Sequence, residues 1–136
     1  MSLFPDEPDE VVRKFCSKCQ QSLPIEQFSN SSGGNYSRPE CQRCAKKLGK
    51  VRRHLKKITP RPGKDYVCPI CERTEDQVRG LGGKKVGAWC IDHDHNTDTV
   101  RGHLCHDCNR ALGNFKDSRV LLQRALEYLR SYNDTV

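Results

Sequence analysis

With 136 residues the chain is long enough for one or two small domains, and with 35% hydrophobic and 30% charged residues it is too polar for a large apolar core. Nine cysteines change this picture, because cross-links or bound metal can replace a missing core. The sequence has no apolar run near the roughly 18 residues of a membrane span and no signal peptide after Met1. We therefore expect a soluble intracellular protein with reduced thiols and no membrane partner.

The chain opens with an acidic segment, residues 1–12, which we expect to be a flexible tail. Residues 13–45 contain two C-x2-C pairs, Cys16/Cys19 and Cys41/Cys44. A two-residue gap lets one tight turn aim two thiolates at an ion, and zinc takes four such ligands, so the pairs must combine in twos. Sequential pairing predicts an N-terminal zinc ribbon. Disulfides and an iron–sulfur cluster are the alternatives, which the expected compartment and the spacing disfavour.

Residues 46–64 form a basic segment that predicts a helix followed by a linker. Apolar side chains recur there with helical spacing, at Leu48, Val51, Leu55 and Ile58. Ten basic residues and no acid lie between Arg43 and Lys64, a density that favours a nucleic-acid partner over a plain solvated helix face. The side chains expected to contact DNA in this segment are Arg43, Lys46, Lys47, Lys50, Arg52, Arg53, Lys56 and Lys57.

Residues 65–136 contain two further C-x2-C pairs, Cys68/Cys71 and Cys105/Cys108, which predict a second zinc site at the base of a longer insert. The segment Thr74-Glu75-Asp76-Gln77 has the form of a capping box and predicts a short helical turn. A glycine-rich loop with Lys84 and Lys85 follows. The segments Ala88–His95 and Val100–Leu104 then flank the polar turn Asn96–Thr99, and they predict a β-hairpin of two short strands.

A helix is expected to begin at the last cysteine pair, and a final helix is expected to be capped by Asp117 or Ser118. The final helix has a broad apolar face, made of Leu121, Leu122, Ala125, Leu126 and Leu129. Ordinary packing is the simpler explanation of this face, and a homodimer contact is the alternative.

The hairpin and the following helix carry the residues that suggest chemistry. A hairpin pinned by zinc brings Asp92-His93-Asp94-His95 close to Asn109, where an Asp oxygen and an Asn oxygen could hold Mg²⁺. An adjacent imidazole could deprotonate a water molecule for attack on a phosphate. Because side chains alternate along a strand, Asp92 and His93 converge only if the hairpin bends between them. Taken alone, the tetrad also fits a polar turn or a zinc-transport type of metal site.

The stretch from Cys68 to Leu129 resembles the phage recombination endonuclease VII family, within the wider HNH (ββα-metal, or His-Me finger) nucleases. The resemblance is carried by Cys68-Pro69-Ile70-Cys71, by Ile91–His95, by Val100–Cys105, and by Cys108-Asn109-Arg110-Ala111-Leu112-Gly113. The cysteine ribbon followed by a basic helix also resembles the N-terminal segment of many family members. Some relatives have an acidic residue where this chain has Leu112.

The resemblance implies that Asp92 and Asn109 bind the catalytic divalent ion, Mg²⁺ or Mn²⁺, and that His93 is the general base. It implies that His95 contacts the phosphate or organises the metal and the leaving group. Cys68, Cys71, Cys105 and Cys108 would hold structural zinc, as Cys16, Cys19, Cys41 and Cys44 would in the ribbon. Beside such a centre, Lys84, Lys85 and Arg101 are interpreted as DNA contacts.

The sequence therefore predicts a small zinc-stabilised α+β fold: a ββα-metal (His-Me finger) nuclease core with an N-terminal zinc ribbon and a C-terminal helix. The expected activity is metal-dependent hydrolysis of phosphodiester bonds in duplex or branched DNA, in the host cytoplasm if a phage encodes the protein. Junction-resolving, homing-type and restriction-type cleavage are all compatible with these residues. The alternative is a non-catalytic zinc-ribbon protein that only binds nucleic acid.

Overall fold

The computed structural model describes residues 10–31, 33–34 and 36–132, which form the small α+β fold that the sequence predicts. Short strands in this part of the chain pair as three two-stranded antiparallel sheets: β1 (Arg13–Phe15) with β2 (Ser22–Pro24), β3 (Phe28–Asn30) with β4 (Ser37–Cys41), and β5 (Trp89–His93) with β6 (Val100–Cys105). The helices are α1 (Gln42–Ile58), α2 (Glu75–Val78), α3 (His106–Asn114) and α4 (Arg119–Arg130). Most of the acidic tail, residues 1–9, lies outside the described residues.

The chain divides into two compact units, Met1–His54 and Leu55–Val136. This division falls inside α1, whereas the sequence predicts a ribbon over residues 13–45, a basic helix and linker over 46–64, and a nuclease domain over 65–136. Those boundaries stay a prediction. None of the helices in the described ranges is long and apolar enough to cross a membrane.

Cysteines make up most of the buried core of the first unit. Its buried side chains among the described residues are Cys16, Phe28 and Cys41, against which Leu23 packs. The β1–β2 ladder is three residue pairs long, and the β3–β4 ladder contains a register shift between Phe28 and Asn30. A core this thin leaves the stability of the unit dependent on whatever holds its thiols together.

Helix α1 begins four residues earlier than the sequence predicts, because it starts directly after Cys41, where β4 ends. Its last turn carries Lys56 and Lys57, which interact favourably with the negative end of the helix dipole. Of the predicted apolar stripe, Leu55 is buried and Ile58 is exposed.

The second unit packs a hairpin and two short helices around a small core. The buried residues of this cluster are Cys68, Val78, Ala88, Leu104, Cys105 and Cys108, with Leu81, Trp89 and Leu112 packed against them. The predicted capping box is confirmed, since the Thr74 N–H donates to Gln77 Oε1 at 2.8 Å as α2 begins. The predicted hairpin is confirmed as β5 and β6, and α3 packs against both strands.

Ser118 is the N-cap of α4, because its Oγ accepts a hydrogen bond from the Leu121 N–H at 3.2 Å. The apolar face of this helix is covered only in part. Leu122 and Ala125 are half-buried, whereas Leu126 and Leu129 are 43% and 52% exposed. Ordinary packing against the second unit therefore does not explain the whole face.

Candidate active site

The cysteine pairs gather in the two groups that their spacing predicts. Within each group the four sulfur atoms all lie within 4.8 Å of one another, close enough for one metal ion to be held. The first group is Cys16, Cys19, Cys41 and Cys44, and the second is Cys68, Cys71, Cys105 and Cys108. Two clusters that could bind zinc are thus present, one in each unit.

Both groups are built in the same way. The first pair of each lies in a tight turn: the Glu72 N–H donates to the Cys68 carbonyl at 2.8 Å, and the Gln20 N–H donates to the Cys16 carbonyl at 3.0 Å. Gln20 and Glu72 both have a φ of 57°, a left-handed conformation that costs an ordinary residue about 1–2 kcal/mol. The second pair lies where a strand meets a helix, with Cys41 and Cys105 as the last residues of β4 and β6.

Backbone and side-chain donors stabilise thiolates in both groups. Burial tends to raise the pKa of the Cys16 thiol, but N–H groups of Cys19, Cys41 and Lys18 point at its Sγ and lower the pKa to about 6. Burial and neighbouring thiols raise the pKa of Cys44 to about 12. Four thiols at this distance cannot all ionise beside one another unless a cation compensates their charge, so the donor set fits zinc.

Arg73 supplies part of that compensation in the second group. Its Nε donates to Cys71 Sγ at 3.2 Å, which lowers the pKa of Cys71 to about 6, and one Nη lies 3.6 Å from Cys105 Sγ. The same Nη is ion-paired with Asp107 at 3.2 Å. No feature of the sequence near Arg73 distinguishes it from other surface arginines, and its role was not predicted.

The bend that the hypothesis requires in the hairpin is present as a β-bulge. Asp92 pairs with Gly102, but the next residue, His93, pairs with Val100, so Arg101 is an extra residue on β6. In a regular ladder Arg101 would pair with His93, and its side chain would lie on the opposite face of the sheet from that of Asp92. The bulge locally twists the strands, and such irregularities often re-aim a side chain beside an active site.

His93 is buried to 94%, and its Nε2 finds no hydrogen-bond partner among the described residues. An unpaired buried polar atom costs about 1–3 kcal/mol, so it requires an explanation such as a bound ion, a water molecule or a catalytic role. The ring of His95, which is exposed, lies over it with a centroid distance of 4.6 Å. The two imidazoles thus lie close together at the turn end of the hairpin.

Asp92 is bound side-on by Arg101. The Arg101 Nε and Nη2 donate to the two carboxylate oxygens of Asp92, both at 2.7 Å, and Nη2 also contacts Asp117 at 3.0 Å. These two carboxylates raise the pKa of the Arg101 guanidinium, which stays charged. A carboxylate has about four lone-pair positions, so the contact leaves Asp92 able to coordinate a cation.

Asn109 lies in the first turn of α3, directly after Cys108, and is half-buried. The helix packs against β5, which carries Asp92. Leu112, where some relatives have an acid, packs against the buried core and offers no ligand.

In the turn that joins β5 to β6, N–H groups of Asn96 and Thr97 donate to Asp94 and hold the pKa of that carboxyl below its usual value. Asp94 therefore has a turn-forming role.

All the predicted DNA-contacting side chains of α1 are exposed. Five of them line one groove of about 900 Å³ along the helix: Arg43, Lys46, Lys47, Lys50 and Arg53. Lys84 and Lys85 are exposed in the loop before β5. Arg101, by contrast, is held in the ion pair with Asp92.

His106 has a structural role that the sequence did not reveal. Its Nε2 lies 2.8 Å from the Gly87 carbonyl and its Nδ1 lies 3.0 Å from Cys90 Sγ. Because the carbonyl can only accept, Nε2 carries the proton and Nδ1 accepts from the thiol. Burial raises the pKa of Cys90, so this thiol stays protonated.

Comparisons with known proteins connect these residues to a family. The family model described as recombination endonuclease VII matches residues 42–131, about two thirds of the chain. The Gene 59 proteins of Mycobacterium phages D29 and L5 are 42% identical over 64 residues and 40% identical over 63 residues. Each match covers 46% of this chain and 34% of the relative, so the chain spans about a third of the length of these relatives.

The fold comparison agrees with the family match. The crystal structure of the ββα-Me type II restriction endonuclease Hpy99I is similar with a TM-score of 0.52 and 29% sequence identity, covering 88% of this chain and 66% of that chain. The predicted ββα-metal nuclease core is thereby confirmed, together with the resemblance that led to it. The chain belongs to the recombination endonuclease VII family of phage-type nucleases.

Proposed function

We propose that the protein is a metal-dependent DNA endonuclease of the HNH type, which hydrolyses phosphodiester bonds and leaves 5′-phosphate and 3′-hydroxyl ends. The observation that carries this proposal is the unpaired Nε2 of the buried His93, beside Asp92 at the bulge of a hairpin framed by four cysteines. A merely structural histidine at such a site would be expected to have a hydrogen-bond partner.

In this proposal His93 takes the proton of the attacking water, and Asp92 and Asn109 hold a divalent ion, Mg²⁺ or Mn²⁺. The ion, when bound, neutralises charge that develops on the phosphate and on the departing 3′ oxygen. His95, which is exposed and whose ring is tilted against that of His93, contacts the scissile phosphate. The free lone pairs of Asp92 and the amide oxygen of Asn109 are hard donors that suit these ions.

The two cysteine groups are proposed to hold structural zinc. Each group offers four sulfurs within 4.8 Å and lies in the buried core of its unit. Zinc in the second group would tie β6 and α3 together, and with them Asp92 and Asn109. Such thiolate sites persist where thiols stay reduced, which supports an intracellular location, in the host cytoplasm for a phage protein.

The basic groove of α1 is proposed as the principal DNA contact. Its five lysines and arginines line one continuous surface with no acidic residue among its lining residues. Phosphate contacts of this kind position a protein on DNA without reading sequence. The same groove is what a non-catalytic zinc-ribbon binding protein would use, so it favours DNA binding but does not separate the two functions.

Cleavage of both strands is proposed to require a homodimer, because each active site acts on one strand. The exposed apolar residues of α4, which include Leu126 and Leu129, are the proposed contact surface. Light scattering after size-exclusion chromatography tests this. A protein that stays monomeric both free and on DNA contradicts the homodimer while leaving the nuclease proposal in place.

The deciding experiment is cleavage of supercoiled plasmid by zinc-loaded protein, with and without added Mg²⁺. Nicking that needs Mg²⁺ supports the enzyme, and DNA binding without nicking at any Mg²⁺ or Mn²⁺ concentration supports the binding protein. Because EDTA also removes zinc, the metal-free arm uses Mg²⁺-free buffer, and zinc content is measured afterwards. A panel of four-way junction, nicked, linear and single-stranded DNA then separates junction resolution from duplex cleavage.

A further inference from the structure

The one arginine of the hairpin bulge, Arg101, lies between two carboxylates that come from distant parts of the second unit. It binds both oxygens of Asp92 on β5 and one oxygen of Asp117, which follows α3. The Asp92 side chain in this contact is only 12% exposed. Ion pairs at an exposed surface contribute little, but a side-on arginine on a largely buried carboxylate fixes the orientation of that carboxylate.

The backbone that places Asp117 beside Arg101 is strained. At the end of α3 the Asp117 N–H donates to the Leu112 carbonyl and the Lys116 N–H donates to the Gly113 carbonyl, both at 2.9 Å, which forms a Schellman-type helix end. Lys116 and Asp117 both lie in the left-handed region, with φ of 54° and 53°. Consecutive non-glycine residues in this region are unusual, and such strain concentrates at functional sites.

Asp117 is also free of the capping role that the sequence suggested for it, because Ser118 caps α4. Its carboxylate is 26% exposed and is directed at Arg101. The three charged groups carry a net charge of −1, whereas Asp92 with Arg101 alone would be neutral. A second carboxylate thus keeps the surroundings of Asp92 attractive to a divalent cation even though Arg101 is bound there.

We propose that Arg101 and Asp117 are positioning residues for Asp92: Arg101 fixes the rotamer of the metal-binding carboxylate, and Asp117 holds Arg101 and supplies the compensating negative charge. This inference rests on the proposed function, in which Asp92 is a ligand of the divalent ion. It changes the predicted role of Arg101, which acts through Asp92 and does not bind the DNA backbone.

The test measures Mn²⁺ binding without DNA, and kcat and KM for nicking at saturating Mn²⁺, on zinc-loaded Arg101→Ala, Arg101→Lys and Asp117→Asn. Arg79→Ala, which removes an exposed arginine paired with Glu75 on α2, is the matched control. Melting curves and zinc content establish that each variant is folded. Because lysine cannot bridge both oxygens of Asp92, Arg101→Lys is expected not to rescue the alanine variant.

We expect Arg101→Ala to lower kcat at least about tenfold, with KM for DNA nearly unchanged and Mn²⁺ affinity equal or higher, because a positive charge leaves the site. We expect Asp117→Asn to weaken Mn²⁺ binding about two- to fivefold. If Arg101→Ala instead raises KM and lowers the salt dependence of DNA binding with kcat unchanged, Arg101 is a phosphate contact and the inference is overturned.

The failure of this inference is distinct from failure of the proposed function. A wild-type protein that binds Mn²⁺ through Asp92 but never cleaves DNA overturns the nuclease activity, and the Mn²⁺ affinities of the variants still decide the positioning role. A wild-type protein that cleaves DNA while all three variants match Arg79→Ala overturns the positioning role alone. If the wild type binds no Mn²⁺ and also fails to nick plasmid DNA with Mg²⁺ or Mn²⁺, both are wrong.

Discussion

The imidazole of His106 lies directly over Gly82, so closely that a Cβ atom added at Gly82 would overlap the ring. The ring cannot move aside easily, because hydrogen bonds to Cys90 and to the Gly87 carbonyl hold both of its nitrogens. His106 is also the first residue of α3 and follows the cysteine that ends β6. One histidine thus joins the glycine-rich loop, the hairpin and the helix of the second unit.

Gly82→Ala is therefore expected to destabilise the protein by about 1–3 kcal/mol, the usual cost of overpacking. The matched control is Gly87→Ala, since a Cβ there meets open space. Chemical denaturation of the zinc-loaded proteins measures the difference. Equal stability of the two variants would mean that the loop moves away from His106 at no cost.

Replacement of a proposed zinc ligand is expected to unfold the second unit. Structural zinc contributes about 10–16 kcal/mol in small zinc domains, whereas a whole native domain is stable by about 5–15 kcal/mol. Half of the buried residues in the cluster around this group are themselves cysteines. Cys71→Ser should lose one zinc per chain, measured by a chelator assay, together with cooperative melting.

Cys90→Ser is the control for that experiment, because it keeps a hydrogen-bond donor for His106 and lies outside both groups. It should keep both zinc ions and cooperative melting. If Cys71→Ser melts like Cys90→Ser, the second group does not hold a structural metal.

His93→Ala is expected to abolish nicking, by at least about two orders of magnitude, because general-base catalysis contributes about 10²–10⁴-fold. Zinc content should not change, because His93 lies outside both cysteine groups, and melting curves show that the variant stays folded despite the loss of a buried ring. Plasmid nicking and DNA binding are measured on the same preparation. Cleavage at nearly the wild-type rate would show that His93 is not the general base. Loss of DNA binding would indicate a general structural defect.

If the groove of α1 binds DNA, its basic residues should determine how steeply DNA affinity falls with salt concentration. If Lys46 and Lys50 each contact a phosphate, the double variant to Gln should reduce the slope of log K against log salt by about 1.8. Arg119→Gln and Arg124→Gln together, on α4, remove the same charge from another helix and should leave the slope close to that of the wild type. A slope that falls equally in both double variants would show that net charge, not the groove, controls binding.

Much of the fold could be predicted because local signals and metal geometry agree. The capping box at Thr74, the hairpin and the grouping of the cysteines in twos all follow from short-range rules, and the structure confirms each. The start of α1 was predicted four residues too late. Its first turn contains Cys44 of a C-x2-C pair and lacks the apolar spacing by which a helix is recognised. The strands β1 to β4 are too short to show alternation of apolar and polar side chains.

The electrostatics of the site could not be predicted, since they depend on register and tertiary contact. A shift of one residue at the bulge decides whether Arg101 faces Asp92. Arg73 contacts the sulfur of its neighbour Cys71, but it reaches Cys105 and Asp107 only after distant segments have met. Sequence motifs identify which residue types carry the chemistry, whereas the groups that orient them come from elsewhere in the chain.

The helix end after α3 allows a gain in stability. Lys116 occupies the position where helices usually have glycine, with a φ of 54°, and its N–H still completes the helix-end pattern by bonding to Gly113. Glycine adopts this conformation without the steric cost of about 1–2 kcal/mol, but it also gains entropy in the unfolded chain. Lys116→Gly should therefore stabilise the zinc-loaded protein by about 0.5–1 kcal/mol in urea denaturation.

Lys116→Ala separates backbone strain from loss of the lysine charge, because alanine keeps the strained φ and lacks the charge. It should lie within about 0.5 kcal/mol of the wild type, as surface substitutions usually do. If glycine and alanine at this position give the same stability, the left-handed backbone at Lys116 is not strained. In that case Lys116 adds no strain to the placement of Asp117 beside Arg101, and any strain at this helix end lies in the left-handed backbone of Asp117 itself.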